Sequence, residues 1–182
     1  LLGLLTTSLT LNAAYNTTRS SSGVSTKIKN AVDSQSAKNN TVNEIIIPKG
    51  LNPGDTLGLI APANYTNENS YAEIEYLTSR GFNVVYGQSF SSRWYGFGGT
   101  DDVRAKDIND MFANKNIKAI FAIRGGYGTI RIVDKIDYDT IRKNPKIFSG
   151  FSDLTTLLLA INEKTGLVTF HGPMSSNFDK IP

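Results

Sequence analysis

Ile147-Phe148-Ser149-Gly150-Phe151-Ser152-Asp153-Leu154 runs without a break into the helical stretch Leu154–Lys164, and Gly166 follows as its stop. Four residues, Ile147–Gly150, read as a short buried strand. The reversal from strand to helix must then happen within Gly150–Asp153. A serine in so tight a turn has its hydroxyl pushed out over the end of the sheet, which is the logic of a nucleophile elbow. The start of the helix adds free N–H groups and positive potential nearby, both useful to an oxyanion. The pattern here is G-x-S-x-L, without the second glycine of the usual elbow. The plainer use of the same residues is capping of the helix by Ser152 or Asp153.

Outward from this turn, strands and helices alternate. On the N-terminal side lie strands at Thr56–Ala61, Phe82–Tyr86 and Ile117–Ile123. Between them, Ser70-x-x-Glu73 opens a helix as a capping box, and Thr100 with Asp101 and Asp102 opens another that turns Ile108, Met111 and Phe112 inward. A third helix is expected through Ile130, Val133 and Ile136, and a short one at Asp139–Asn144. A last strand, Leu167–Phe170, precedes His171. Strands separated by helices require crossover connections. The expected fold class is therefore α/β, a mostly parallel sheet with helices on both faces.

Ligands of such sheets bind at the carboxyl ends of the strands. Three segments collect there: Ala61-Pro62-Ala63, Arg124-Gly125-Gly126-Tyr127-Gly128 and the Gly150–Asp153 turn. Glycines in the second let backbone N–H groups approach an anion closely. A dinucleotide site is a poor reading, because Arg131 stands where a third glycine belongs and no acidic residue ends the next strand. Donation of an N–H to an oxyanion facing Ser152 is the better one. The plainest is a tight turn where strand and helix pack closely. His171, the one histidine, lies on the same edge as a base for Ser152 or as a packing residue. The loop Ser91–Gly99 is aromatic and glycine-rich, suited to a lid, an interface or partly buried core.

Composition narrows the classes. With no cysteine and one histidine in 182 residues, disulfides, thiolate metal sites, a cysteine nucleophile and a histidine-rich metal site are excluded. The net charge of +3 resides in residues 1–43, which hold four basic residues and one acidic residue; the rest is balanced. A nucleic-acid partner is therefore not expected. Residues 1–43 also contain 20 Ser, Thr or Asn, the composition of a flexible linker. Leu1–Leu11 is apolar, too short to span a bilayer, and similar to the apolar core of a secretory signal. It favours the exported side. The organisation expected is a signal-like stretch and linker over 1–43, then a nucleophile-bearing domain over 44–182. A sheet ending at Pro182 would leave an edge and a core face uncovered, so further C-terminal sequence is expected.

The motifs, taken in order, resemble one family. Asn52-Pro53-Gly54-Asp55, Ala61-Pro62-Ala63, Arg124–Gly128, Asp137-Tyr138, Asn144-Pro145-Lys146, Gly150–Thr155 and His171-Gly172-Pro173 are together similar to the N-terminal domain of the serine LD-carboxypeptidases, which also include the microcin-immunity peptidases. The resemblance covers about residues 45–178. It implies removal of the terminal D-alanine from murein tetrapeptides without metal or other cofactor. By the same resemblance Ser152 is the nucleophile, and the N–H of Asp153 with that of Gly125 or Gly126 forms the oxyanion hole. Arg124, Tyr127 and Pro62 are expected to bind substrate. The family's glutamate and histidine lie in a second domain, His171 is not its general base, and the fragment alone is expected to be inactive. The resemblance further implies a homodimer, and for members that recycle murein peptides a cytoplasmic location. The RGGYG form of the loop favours the carboxypeptidase branch. The competing readings are a non-catalytic module holding a peptide or anion, and a nucleotide-dependent enzyme.

Overall fold

The computed structural model describes residues 44–66 and 71–180. The signal-like stretch, the linker and the capping residue Ser70 lie outside the described residues. Five strands form one sheet: β1 (Thr56–Ile60), β2 (Asn83–Tyr86), β3 (Ile117–Ala122), β4 (Ile147–Gly150) and β5 (Phe170–His171). Their order across the sheet is β2-β1-β3-β4-β5 and every pairing is parallel. Among the described residues four α-helices connect or follow them: α1 (Tyr71–Ser79), α2 (Asp101–Ala113), α3 (Tyr138–Lys143) and α4 (Thr155–Thr165).

Side chains alternate across the sheet, as the two-residue period of a strand demands. Leu57, Leu59 and Ala119 pack with Leu77 of α1 and with Phe178 on one face. Ile60, Ile120, Ala122 and Phe148 pack on the other, against residues of α2, α3 and α4 that include Ile108, Phe112, Ile141 and Leu157. The sheet is thus covered on both sides, and that explains its unbroken apolar strands. From β1 the chain steps to the edge strand β2, then crosses back to place β3 on the other side of β1. The loops after β1 and β3 consequently part in opposite directions. The place where they part is the switch point at which α/β sheets bind ligands.

Three expectations are corrected. The third helix is a tight 3-10 run, Thr129–Lys135. A repeat of three residues buries Thr129 and Ile132 and leaves Ile130 exposed, so the apolar pattern there is not that of an α-helix. The helix expected from Leu154 is preceded by one 3-10 turn, Ser152–Leu154, and its α-helical part starts at Thr155. The last strand is split. Leu167 bridges to Ile46, and only Phe170 and His171 pair with β4. Thr100 caps α2 as expected, its hydroxyl accepting from the Val103 N–H at 3.3 Å.

Candidate active site

Ser152 is the point to build from. Its φ is +59°, a left-handed conformation that costs a non-glycine residue of order 1–3 kcal/mol. A chain that only needed a helix cap would not require it. The strain comes from turning β4 into α4 within one residue while the carbon of Gly150 packs under Leu154; a Cβ on Gly150 would lie 2.9 Å from Leu154 Cγ. The hydroxyl is the gain: Ser152 is exposed, between half-buried Phe151 and Asp153. Among the described residues, its Oγ has no hydrogen-bond partner.

The glycine loop faces it. A Cβ built on Gly125 would meet Ser152 Cβ at 3.1 Å and Oγ at 3.3 Å, so only glycine leaves room at the hydroxyl. Gly126 and Gly128 have φ of +129° and +116°, which L side chains rarely adopt. A Cβ on Gly126 would fall 2.3 Å from Asn64 Cγ. Asn64 in turn governs the loop: its Oδ1 accepts the Tyr127 N–H at 3.0 Å, and its own N–H donates to the Gly125 carbonyl at 3.4 Å. With the Gly125 carbonyl drawn to Asn64, the Gly126 N–H of the same trans peptide points away from it.

Asp153 is bound through its carboxylate and its carbonyl. Its Oδ2 accepts from the Thr129 N–H at 2.9 Å, and its carbonyl accepts from Thr129 Oγ1 at 2.6 Å. The serine turn and the glycine loop are therefore joined side to side. An open hollow of about 400 Å³ lies over this junction. Arg124, Gly125, Gly126, Phe151 and Ser152 line it from one side, and Met174, Ser176 and Asn177 from the other.

The remaining expected site residues divide. Arg124 is at the hollow, exposed, and donates to the Tyr65 carbonyl at 3.4 Å. Tyr127 is exposed but stands outside the lining, its ring 6.1 Å from that of Phe97. Pro62 is buried, and its carbonyl accepts from Arg104 at 2.6 Å. His171 pairs with Gly150 across β5 and β4, and its ring lies 6.4 Å from that of Phe151. No hydrogen bond joins it to Ser152 among the described residues. Arg131, where a nucleotide loop would have glycine, forks onto Asp101 through Nε and one terminal nitrogen. The loop after β2 packs down: Gly98 donates to the Ala63 carbonyl and Tyr65 to that of Gly96.

Sequence reasoning passed over Asn64, Arg104 and Asp107. Both helical residues had a visible signal, since they are charged and lie on the same helix as the apolar stripe of α2. Asp107 accepts the N–H groups of Gln88 and Ser89, at 2.9 and 2.6 Å. Arg104 forms an ion pair with Asp101. The Arg131 hydrogen bond, then Arg104, holds the Asp101 carboxyl below its ordinary range against the opposing effect of burial.

Comparison with known proteins identifies the family. The family described as the LD-carboxypeptidase N-terminal domain matches residues 57–172. The chain belongs to the LD-carboxypeptidase family. A probable murein peptide carboxypeptidase of Bacillus subtilis is 45% identical over 130 residues, covering 71% of this chain and 41% of the relative. The microcin C7 self-immunity protein MccF of Escherichia coli is 39% identical over 124 residues, 66% of this chain and 36% of its own. Among solved structures, an MccF-like protein from Bacillus anthracis superposes with a TM-score of 0.70 at 36% identity, over 73% of this chain and 42% of that one. The muramoyltetrapeptide carboxypeptidase of Oxalobacter formigenes gives 0.61 at 32% identity, over 66% and 40%. The chain thus spans about two-fifths of the length of these LD-carboxypeptidase relatives. Among the described residues no helix is long and apolar enough to cross a membrane.

Proposed function

We propose that this domain carries the nucleophile of a serine-type LD-carboxypeptidase that removes the terminal D-alanine from murein tetrapeptides. The observation that supports it most is the strained, exposed Ser152, φ +59°, set against a glycine whose Cβ would crowd its hydroxyl. In the proposed reaction Ser152 Oγ attacks the carbonyl of the residue before D-alanine, and its proton passes to a base. The negative charge forming on the carbonyl oxygen is met by the Asp153 N–H and one from Gly125 or Gly126. The C–N bond then breaks, D-alanine leaves as the amine, and water releases the acyl group from Ser152. Each such N–H donor is worth about 10²–10³ in rate.

A serine hydroxyl is a weak nucleophile without a base. No base is bonded to Ser152 among the described residues, so the proposal takes the base from the glutamate and histidine that the family resemblance puts in a second domain. The test is turnover of a murein tetrapeptide by the 182-residue chain and by the full-length protein. The proposal expects D-alanine release by the full-length protein and slight activity from the chain alone. Equal turnover by the two would make His171 the base; no release by either would refute the carboxypeptidase reading. Similarity to MccF, 39% identical, supports a second reading, an amidase of the microcin-immunity type. Cleavage of an aminoacyl sulfamoyl adenosine in place of the tetrapeptide would favour it.

A further inference from the structure

We propose that Arg104 is a positioning residue of this site, acting on the Ser152 turn through a single peptide group. This rests on the reading of Ser152 as nucleophile. Arg104 is fully buried, on the face of α2 that also buries Ala105, Ile108, Met111 and Phe112. A leucine would fill such a position without the cost of desolvating a charge, which runs to several kcal/mol. The guanidinium is placed so that it gathers three segments of the chain. It donates to the Pro62 carbonyl at 2.6 Å and the Gly128 carbonyl at 3.0 Å, pairs with Asp101, and lies 4.9 Å from the centre of the Phe97 ring.

The Gly128 carbonyl shares its peptide plane with the Thr129 N–H. That N–H is the one bound by Asp153, the neighbour of Ser152. One peptide group is therefore gripped at both ends, by Arg104 on its oxygen and by Asp153 on its nitrogen. Gly128 alone, at φ +116°, has no side chain to hold that plane. Fixing it fixes the exit of the loop in which Gly125 packs against Ser152. Arg104 touches no reacting atom in this arrangement. Lysine, with a single donor point in place of a planar fork, cannot hold both carbonyls and Asp101 in the same geometry.

The experiment uses full-length protein carrying Arg104→Met, Arg104→Lys or Leu157→Ala, the last a buried apolar variant of α4 that removes none of the loop's hydrogen bonds and controls for lost stability. Amide hydrogen exchange over residues 125–130 is measured with kcat and KM for the tetrapeptide. The expected result is exchange over 125–130 accelerated about tenfold or more in both Arg104 variants, with α4 unchanged. The kcat should fall about 10²-fold, as a displaced site does, with KM within about threefold because ground-state binding is retained. Leu157→Ala should keep kcat near wild type. Should Arg104→Met fail to fold, Arg104→Lys keeps the buried charge and decides alone. Unchanged exchange over 125–130, or a loss of kcat no greater than that of Leu157→Ala, overturns the proposal. A wild-type protein inactive on the tetrapeptide would refute the carboxypeptidase reading instead, and the exchange result would still decide the role of Arg104.

Discussion

The two ends of the sheet differ in what their hollows are made of. At the amino end of the strands lies the larger one, about 560 Å³, lined by Lys49, Lys115, Lys118 and Lys146 among others. Two of its lysines are spent locally. Lys146, buried, donates to the Met111 and Asn114 carbonyls at the end of α2, at 3.0 and 2.7 Å, and Lys118 donates to the Lys115 carbonyl. Cations there complement the negative end of a helix. At the carboxyl end the hollow is smaller, yet long-range bonds made by Asn64, Arg104 and Asp153 hold the loop and turn beside it, and Ser152, a non-glycine residue, is kept at a positive φ. Volume therefore does not mark the site. Strain held in place by bonds between distant segments does, because only a structure that over-determines a turn can keep it strained.

Changes at the carboxyl end should dominate activity. Ser152→Ala is expected to lower turnover of the tetrapeptide roughly 10⁴–10⁶-fold while leaving the urea midpoint near wild type. An active Ser152→Ala protein would break the comparison outright. Gly126→Ala should come next. The new methyl meets Asn64 and the φ of +129° is retained only under strain, so a loss of about 1–3 kcal/mol in stability and roughly 10²-fold in kcat is expected, read by urea unfolding and by initial rates.

The amino end should behave in the opposite way. Burial, and secondarily the charge of Lys118, pushes the Lys146 ammonium down to about 8 from its model-peptide value of 10.5. Between those values the unfolded chain binds a proton that the folded chain does not. Stability contributed by this group consequently rises as pH goes from 8 to 10.5, by about 1 kcal/mol per pH unit. Lys146→Met should abolish that rise in urea titrations at pH 8 and 10 and leave kcat unchanged. Smallest of all is Lys106→Ala. Its partner Asp110 and Lys106 itself are both exposed, so the variant should leave the urea midpoint within error of wild type, with no effect on kcat.

The parts of the fold written in contiguous residues could be read directly. Ile147–Leu158 contains a whole strand, turn and helix start, and the structure has β4, a turn with Ser152 at a φ of +59° and α4 in that order. The run after Gly128 was misread because Ile130, Val133 and Ile136 fit a helical face as well as chance allows, whereas bonds from Asp153 tighten its first turn into a 3-10 repeat. Asn64 carries no local signature at all. Its partners lie more than 60 residues away in sequence, in the loop after β3. Arg104 was legible in principle, as a charge among the inward positions of α2 three residues after Asp101, but its long-range acceptors are backbone carbonyls, which no side-chain pattern records.

The central claim is that Ser152 is an activated nucleophile. Its most direct test is reaction of the full-length protein with a serine-directed fluorophosphonate, followed by mass spectrometry of the labelled peptide. One adduct is expected, on Ser152, absent from Ser152→Ala and slowed in Arg104→Lys. Turnover of the tetrapeptide by a protein whose Ser152 takes no label, or whose label falls on another serine, would contradict the account.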